Sequence, residues 1–291
     1  MSVSLLEQLL RQTPVITDGA WATQLQVRGL PIGVCPDEWN LSHPEAVEAV
    51  AREYVEAGSQ VILTNTFGAN RITLARQGLA DRAVEINQAG VAISRRAAQD
   101  RAKVFASIGP TGVLLMTGEK NPDELEATFA EQARALAQAG ADAVVIETMS
   151  DLGEAMLAIR GAKSAGLITV ACMSFDSGKN RDRTMMGTTP EQAAEALSDA
   201  GADVIGANCG QGIEGYITIA RRLRAATDRP VWIKPNAGLP QIVDGKAVYA
   251  MTPQEFVSYI PQFVEAGVAF IGGCCGTSPA FIAAIRERLG R

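Results

Sequence analysis

The chain has no apolar run approaching the ~18 residues that a membrane helix needs, and its opening stretch MSVSLLEQLLRQ lacks the long apolar centre of a signal peptide. A cytoplasmic protein without a membrane partner is expected. An excess of basic residues is also missing: 26 Lys and Arg stand against 32 Asp and Glu, a net charge of −6, with both signs spread along the chain. Nucleic acids and anionic surfaces call for a concentrated basic face, so small molecules are the expected partners. No Pro- or Gly-rich linker divides the 291 residues, and 47% of them are hydrophobic. That supplies a sizeable core and excludes extensive disorder; a single domain over 1–291 is expected. Cysteines are few and odd in number, 5 in all. In a reducing compartment such a set reads as buried apolar residues, metal ligands or reactive groups before it reads as a disulfide framework.

What is present is a repeated alternation. Eight short, largely apolar runs have the character of buried parallel strands: VITDGA (15–20), VILTNTF (61–67), KVFASIG (103–109), AVVIET (143–148), ITVACMSF (168–175), VIGANC (204–209), VWIKPN (231–236) and FIGGCC (270–275). Between them lie amphipathic helix patterns such as HPEAVEAVAREYVEAG, NPDELEATFAEQARALAQAG, TPEQAAEALSDAG and TPQEFVSYIPQFVEAG. Each opens on Pro after a polar residue, carries acids in its first turn and closes on Gly, which suits the helix start, the dipole and a left-handed cap. Eight such units predict an α/β fold of the (β/α)8 TIM barrel type, with an open Rossmann-type sheet as the alternative.

In a barrel, chemistry gathers at the C-terminal ends of the strands. Those ends carry Asp18, Asn65 to Phe67, Glu147, Cys209, Asn236, and the adjacent Cys274 and Cys275 of GGCCGT. Neighbouring cysteines do not form an easy disulfide, and three thiolates meeting across one rim make a zinc site with a fourth, open position. The spacing lacks paired CxxC motifs, so two other readings stay open. Cys209 and one of the pair are small buried hydrophobes, or the glycines cradle a phosphate before the helix that begins in TSPAFIAAIRERL. Cys35 and Cys172 read as buried apolar residues, and Trp39 as packing at the rim.

Six blocks in order, DGAWATQL, NTFGAN, IETMSDLGEA, GANCG, PNAGLP and GGCCGTSP, cover nearly the whole chain. Together they resemble the homocysteine S-methyltransferase family, with the strongest agreement to the homocysteine-binding module of cobalamin-dependent methionine synthases. The resemblance implies a (β/α)8 barrel with catalytic Zn2+ held by Cys209, Cys274 and Cys275, and with Asn236 as an oxygen ligand when substrate is absent. It implies that zinc keeps the homocysteine thiol deprotonated for attack on an activated methyl group, giving methionine. By the same resemblance, Asp18 and Glu147 hold the substrate ammonium, and the Gly19 and Ala20 amides face its carboxylate. No general base is needed, so His43, the single histidine, reads as a surface residue at a helix start. Trp21 departs from the pattern, standing where methionine synthases tend to carry a smaller apolar residue in DGAMGT. An aromatic face there suits a small onium donor such as betaine, S-methylmethionine, S-adenosylmethionine or a dimethylsulfonio compound. The chain carries no folate module and no DxHxxG motif, so a methyl-corrinoid donor would have to come from a separate protein. That donor, a homo-oligomer, and a non-catalytic metal- or thiol-binding barrel remain the alternatives.

Overall fold

The computed structural model describes residues 4–243 and 246–291. Seven parallel strands come first: β1 (Val15–Ile16), β2 (Val61–Ile62), β3 (Lys103–Ile108), β4 (Ala143–Met149), β5 (Thr169–Met173), β6 (Val204–Gly212) and β7 (Val231–Asn236). A small antiparallel hairpin, β8 (Gln241–Val243) and β9 (Lys246–Val248), interrupts the series before β10 (Phe270–Ile271) completes it. The eight parallel strands pair in the order β1-β10-β7-β6-β5-β4-β3-β2. A parallel bridge between Thr17 and Val61, with Gln60 N–H donating to the Ile16 carbonyl at 2.8 Å, joins the two ends of that order. The result is a single-domain (β/α)8 barrel, and the open-sheet alternative is excluded.

Inside the ring, Val15, Val61, Phe105, Val145, Val170, Val204, Trp232 and Phe270 form one buried cluster. Trp232 anchors it, stacked on Phe105 at 6.1 Å between ring centroids and tilted against Phe270 at 5.1 Å. Cys172 belongs to this interior layer and is fully buried, as its sequence context implies. Leu5, Leu6 and Leu9 of the helix Leu5–Leu9 pack against the same cluster. A second, larger cluster fills the space between strands and helices.

The helix patterns are found at Pro44–Ala57, Pro122–Gln138 and Pro190–Asp199, the last two opening on capping boxes built by Asn121 with Glu124 and Thr189 with Gln192. Gly58, Gly140, Gly201 and Gly267 follow the helices at φ between 72° and 106°, the left-handed backbone expected of the AG endings. The fourth pattern departs from expectation: it splits into Pro253–Val257 and Ile260–Glu265. Pro261 lacks the N–H that a continuous helix would need there, so it sits in the first turn of a new helix instead. The hairpin β8–β9 had no counterpart in the sequence reading.

Three strands are only two residues long, and the reason lies at the site. Beyond β2, the Leu63 N–H donates to the Asp18 carboxylate at 2.6 Å rather than to a strand carbonyl. Beyond β10, regular geometry stops at Ile271, although Gly272, Gly273 and Cys274 still donate to the carbonyls of Ile233, Asp18 and Pro235. A methyl group on Gly272 would collide with Thr17 Oγ1 and the Asp18 carbonyl, and one on Gly273 with Thr277. Glycine is what lets this segment run so close to β1.

Candidate active site

In a regular strand adjacent side chains point to opposite faces, so the pair Cys274 and Cys275 shares one site only because the strand has already ended. The Cys274 carbonyl accepts from Thr277 N–H at 3.1 Å and from Thr277 Oγ1 at 2.7 Å, closing a turn through Gly276 at φ 81°. The turn leaves both sulfurs facing the mouth of the barrel. Across from them, β6 shifts register between Cys209 and Gly212, and Cys209 itself takes a left-handed φ of 60°. Such a backbone is strained for a residue with a side chain and is maintained only where the surroundings hold it.

The three ligand atoms of Cys209, Cys274 and Cys275 all lie within 4.8 Å of one another. The Cys209 and Cys275 sulfurs are 3.8 Å apart, and a tetrahedral site with Zn–S of ~2.3 Å has an S···S edge of about 3.8 Å. The donor set therefore fits zinc in both chemistry and spacing. Asn236 ends β7, the strand paired with the Cys209 segment of β6; its Oδ1 is buried and has no hydrogen-bond partner among the described residues. An orphaned amide oxygen here is a candidate fourth ligand. Contact among the sulfurs also shifts their acidities. Hydrogen bonds from Cys274 and Cys275 hold the Cys209 thiol down to about 3, while the contact with Cys209 and burial push Cys275 up to about 12, and contacts with Cys209 and Cys275 together with burial push Cys274 upward.

The sulfurs line a cavity of about 470 Å³, whose walls also include Gly19, Ala20, Trp21, Glu147 and Lys234. That volume suits a small ligand. Glu147 is 8% exposed and accepts from Ser107 Oγ at 2.6 Å and Asn208 Nδ2 at 3.2 Å. Burial raises its pKa against the opposing pull of Lys234 and Ser107. Thr148, next to it, has φ 62°, another left-handed position at a strand irregularity, and both residues line the cavity.

Asp18 occupies a different place from Glu147. It is fully buried and absent from the cavity wall. Its Oδ1 pairs with Lys234 Nζ at 2.5 Å, and its Oδ2 accepts from Trp21 Nε1 at 2.8 Å and Leu63 N–H at 2.6 Å. Its charge is already matched by a protein ammonium. The Ala20 amide is likewise engaged, donating to Thr277 Oγ1 at 3.1 Å, whereas the Gly19 N–H makes no hydrogen bond among the described residues. Cys35 departs from the buried reading: it is half-buried on the cavity wall, with its thiol pushed up to about 11 by burial and the neighbouring Asp37. Trp39 is buried and stacks on exposed His43 at 4.3 Å, away from the sulfurs' wall.

Sequence reasoning missed Lys234, Asn208 and Ser107. Asn208 ties the two acidic and sulfur-bearing walls together: its Oδ1 accepts from Thr148 N–H at 2.7 Å, while Nδ2 faces Glu147 and, at 3.8 Å, Cys274 Sγ. For Lys234 a signal existed, since a lysine inside the buried run VWIKPN must find a buried partner. It lies two residues after Trp232 on β7 and so points to the same interior face.

Known proteins resemble this chain in sequence and in fold. Methionine synthase of Mycobacterium tuberculosis is 32% identical over 293 residues, covering 95% of this chain and 25% of the relative. The chain thus spans about a quarter of the length of the methionine synthases it matches. Betaine–homocysteine S-methyltransferase 1 of Danio rerio is 28% identical, with 98% of this chain and 75% of the relative covered. The metallated crystal form of the homocysteine methyltransferase MmuM from Escherichia coli superposes with a TM-score of 0.81 at 25% identity, covering 97% of this chain and 99% of that one. The sequence model of the homocysteine S-methyltransferase family matches residues 15–289, and the chain belongs to that family.

Proposed function

We propose that this chain forms one homocysteine-binding domain and acts as a zinc-dependent S-methyltransferase, moving a methyl group from a small onium donor to homocysteine to give methionine. The observation that carries this reading is the group of three sulfurs, spaced for tetrahedral zinc, on the wall of a cavity that also presents Glu147. Cys209, Cys274 and Cys275, with Asn236 in reserve, would hold the zinc, which would supply the Lewis acidity that keeps an acceptor thiol deprotonated at neutral pH. Glu147 holds the acceptor's ammonium. Asn208 and Ser107 fix the Glu147 carboxylate so that the acceptor's sulfur end reaches the cysteines. Methyl transfer then forms one S–C bond as the donor's C–N or C–S bond breaks, and the leaving amine or sulfide keeps the electron pair. No residue has to abstract a proton from the methyl group, in keeping with the absence of histidine from the cavity.

For the donor, Trp21 and Phe67 supply aromatic faces to the same cavity, which favours a cationic methyl group. The methionine synthase likeness supports a second reading, a methyl-corrinoid protein as donor. Assaying methionine from homocysteine with betaine, S-methylmethionine, S-adenosylmethionine, a dimethylsulfonio acid and methylcobalamin separates the two. Turnover is expected with an onium compound. Trp21→Leu should then raise that donor's KM about threefold to thirtyfold, the range of a ~0.5 to 2 kcal/mol cation–π contact, while Trp21→Phe stays near wild type. Turnover with methylcobalamin alone overturns the onium reading, and no methionine from any donor overturns the proposed activity.

A further inference from the structure

Lys234 is 2% exposed yet belongs to the wall of the cavity. An ammonium carries three N–H donors, and here one of them reaches Asp18 Oδ1 at 2.5 Å while the others have no acceptor among the described residues. Buried donors of a charged group are ordinarily satisfied, so a ligand acceptor is the partner this site lacks. The surrounding groups narrow down which one. The Ala20 amide, which the family resemblance offers to the substrate carboxylate, is engaged by Thr277. Asp18, offered to the ammonium, is paired with Lys234 and lies behind the wall. Of the other charged residues on the wall, Asp37 already accepts from the Gly68 N–H at 2.9 Å and Arg76 is exposed to solvent, which leaves Glu147 and Lys234 as the opposite charges buried on the wall, with the Gly19 amide, unpaired among the described residues, on the same cavity.

We propose that Lys234, together with the Gly19 amide, receives the carboxylate of the acceptor thiol, so that Lys234 and Glu147 make a pair of opposite charges selecting thiols that are α-amino acids. This rests on the reading of the sulfurs as the acceptor's thiol site. The pairing explains why a lysine is tolerated beside an ammonium-binding carboxylate. Asp18 offsets the Lys234 charge when the cavity is empty, and the ligand's own zwitterion matches both walls when it is filled. Lys234 is a specificity residue in this account and takes no part in the methyl transfer.

The test is calorimetric binding to the zinc-loaded protein, without any methyl donor, of three thiols: homocysteine, 4-mercaptobutanoate, which lacks the ammonium, and 3-mercaptopropylamine, which lacks the carboxylate. Lys234→Met should weaken homocysteine and 4-mercaptobutanoate by about 10- to 150-fold, the range for a hydrogen bond to a charged group. Binding of 3-mercaptopropylamine should change less than about threefold, within the error of such contacts. Glu147→Gln should give the mirror image, weakening homocysteine and 3-mercaptopropylamine and sparing 4-mercaptobutanoate. Because Lys234→Met leaves Asp18 buried without its partner, the double variant Asp18→Asn/Lys234→Met is measured alongside and should show the same loss of carboxylate preference. A structural role alone would weaken all three thiols equally, and that result, or no weakening of 4-mercaptobutanoate in either variant, overturns the proposal. Thiol binding with the expected contrast but no methionine from any donor would leave this inference standing and remove the proposed activity instead.

Discussion

Cys274→Ala is expected to purify with little zinc and to lose methionine formation by about 1,000-fold or more, since removing one of three metal ligands costs more than the 10- to 100-fold typical of changes around a metal's outer partners. The fold should survive. The contacts that place this segment run through its backbone, with Cys274 N–H donating to the Pro235 carbonyl at 2.7 Å and the Cys274 carbonyl accepting from Thr277. An alanine keeps all of them. The circular dichroism spectrum should therefore match wild type while the metal content falls, and Cys209→Ala and Cys275→Ala should behave alike. Stoichiometric zinc in all three variants would remove the sulfurs from the metal site.

Asp18→Asn should show its largest effect in stability. The Asp18–Lys234 pair is buried on both sides, at 0% and 2% exposure, and removing one partner of such a pair costs about 3 to 5 kcal/mol because the other charge is left uncompensated. For a chain of this size that corresponds to a fall in Tm of roughly 6 to 20 °C. The same carboxylate also accepts from the Trp21 indole and the Leu63 amide, so the variant loosens one wall of the cavity as well. Adding Lys234→Met to Asp18→Asn should recover most of the lost Tm, because two neutral side chains of similar shape leave no unpaired charge. An Asp18→Asn variant as stable as wild type, with only its homocysteine affinity reduced, would instead return Asp18 to the direct ammonium contact that the family resemblance implies.

The barrel was legible in the sequence because its signals are local. Runs such as AVVIET and VWIKPN are apolar over a strand's length, and helices such as Pro122–Gln138 announce both ends through a capping residue and a following glycine. That Cys209, Cys274 and Cys275 converge on one rim was legible too, through their positions at strand ends. How they meet was not. Cys209 at φ 60°, Thr148 at φ 62° and the turn after Ile271 each break the regular course of a strand, and the last two put the neighbours Glu147 and Thr148, and Cys274 and Cys275, on the wall of one cavity. Those departures depend on contacts between segments far apart in the chain, such as Asn208 with Thr148 across 60 residues and Thr277 with Ala20 across 257. Side-chain pattern carries no trace of them. Asp18 illustrates the same limit, since its place at a strand end says nothing of a lysine 216 residues away that takes up its charge.

The most direct test of the whole account is a zinc-dependence measurement on the unmodified protein. The metal is removed with a chelator, methionine formation from homocysteine is followed with an active donor, and zinc is titrated back. The account predicts that activity disappears with the metal and returns in proportion to bound zinc, saturating at about one ion per chain, the number one three-sulfur site holds. Full activity in the zinc-free protein, or zinc rebinding at one per chain without any return of methionine formation, would contradict it.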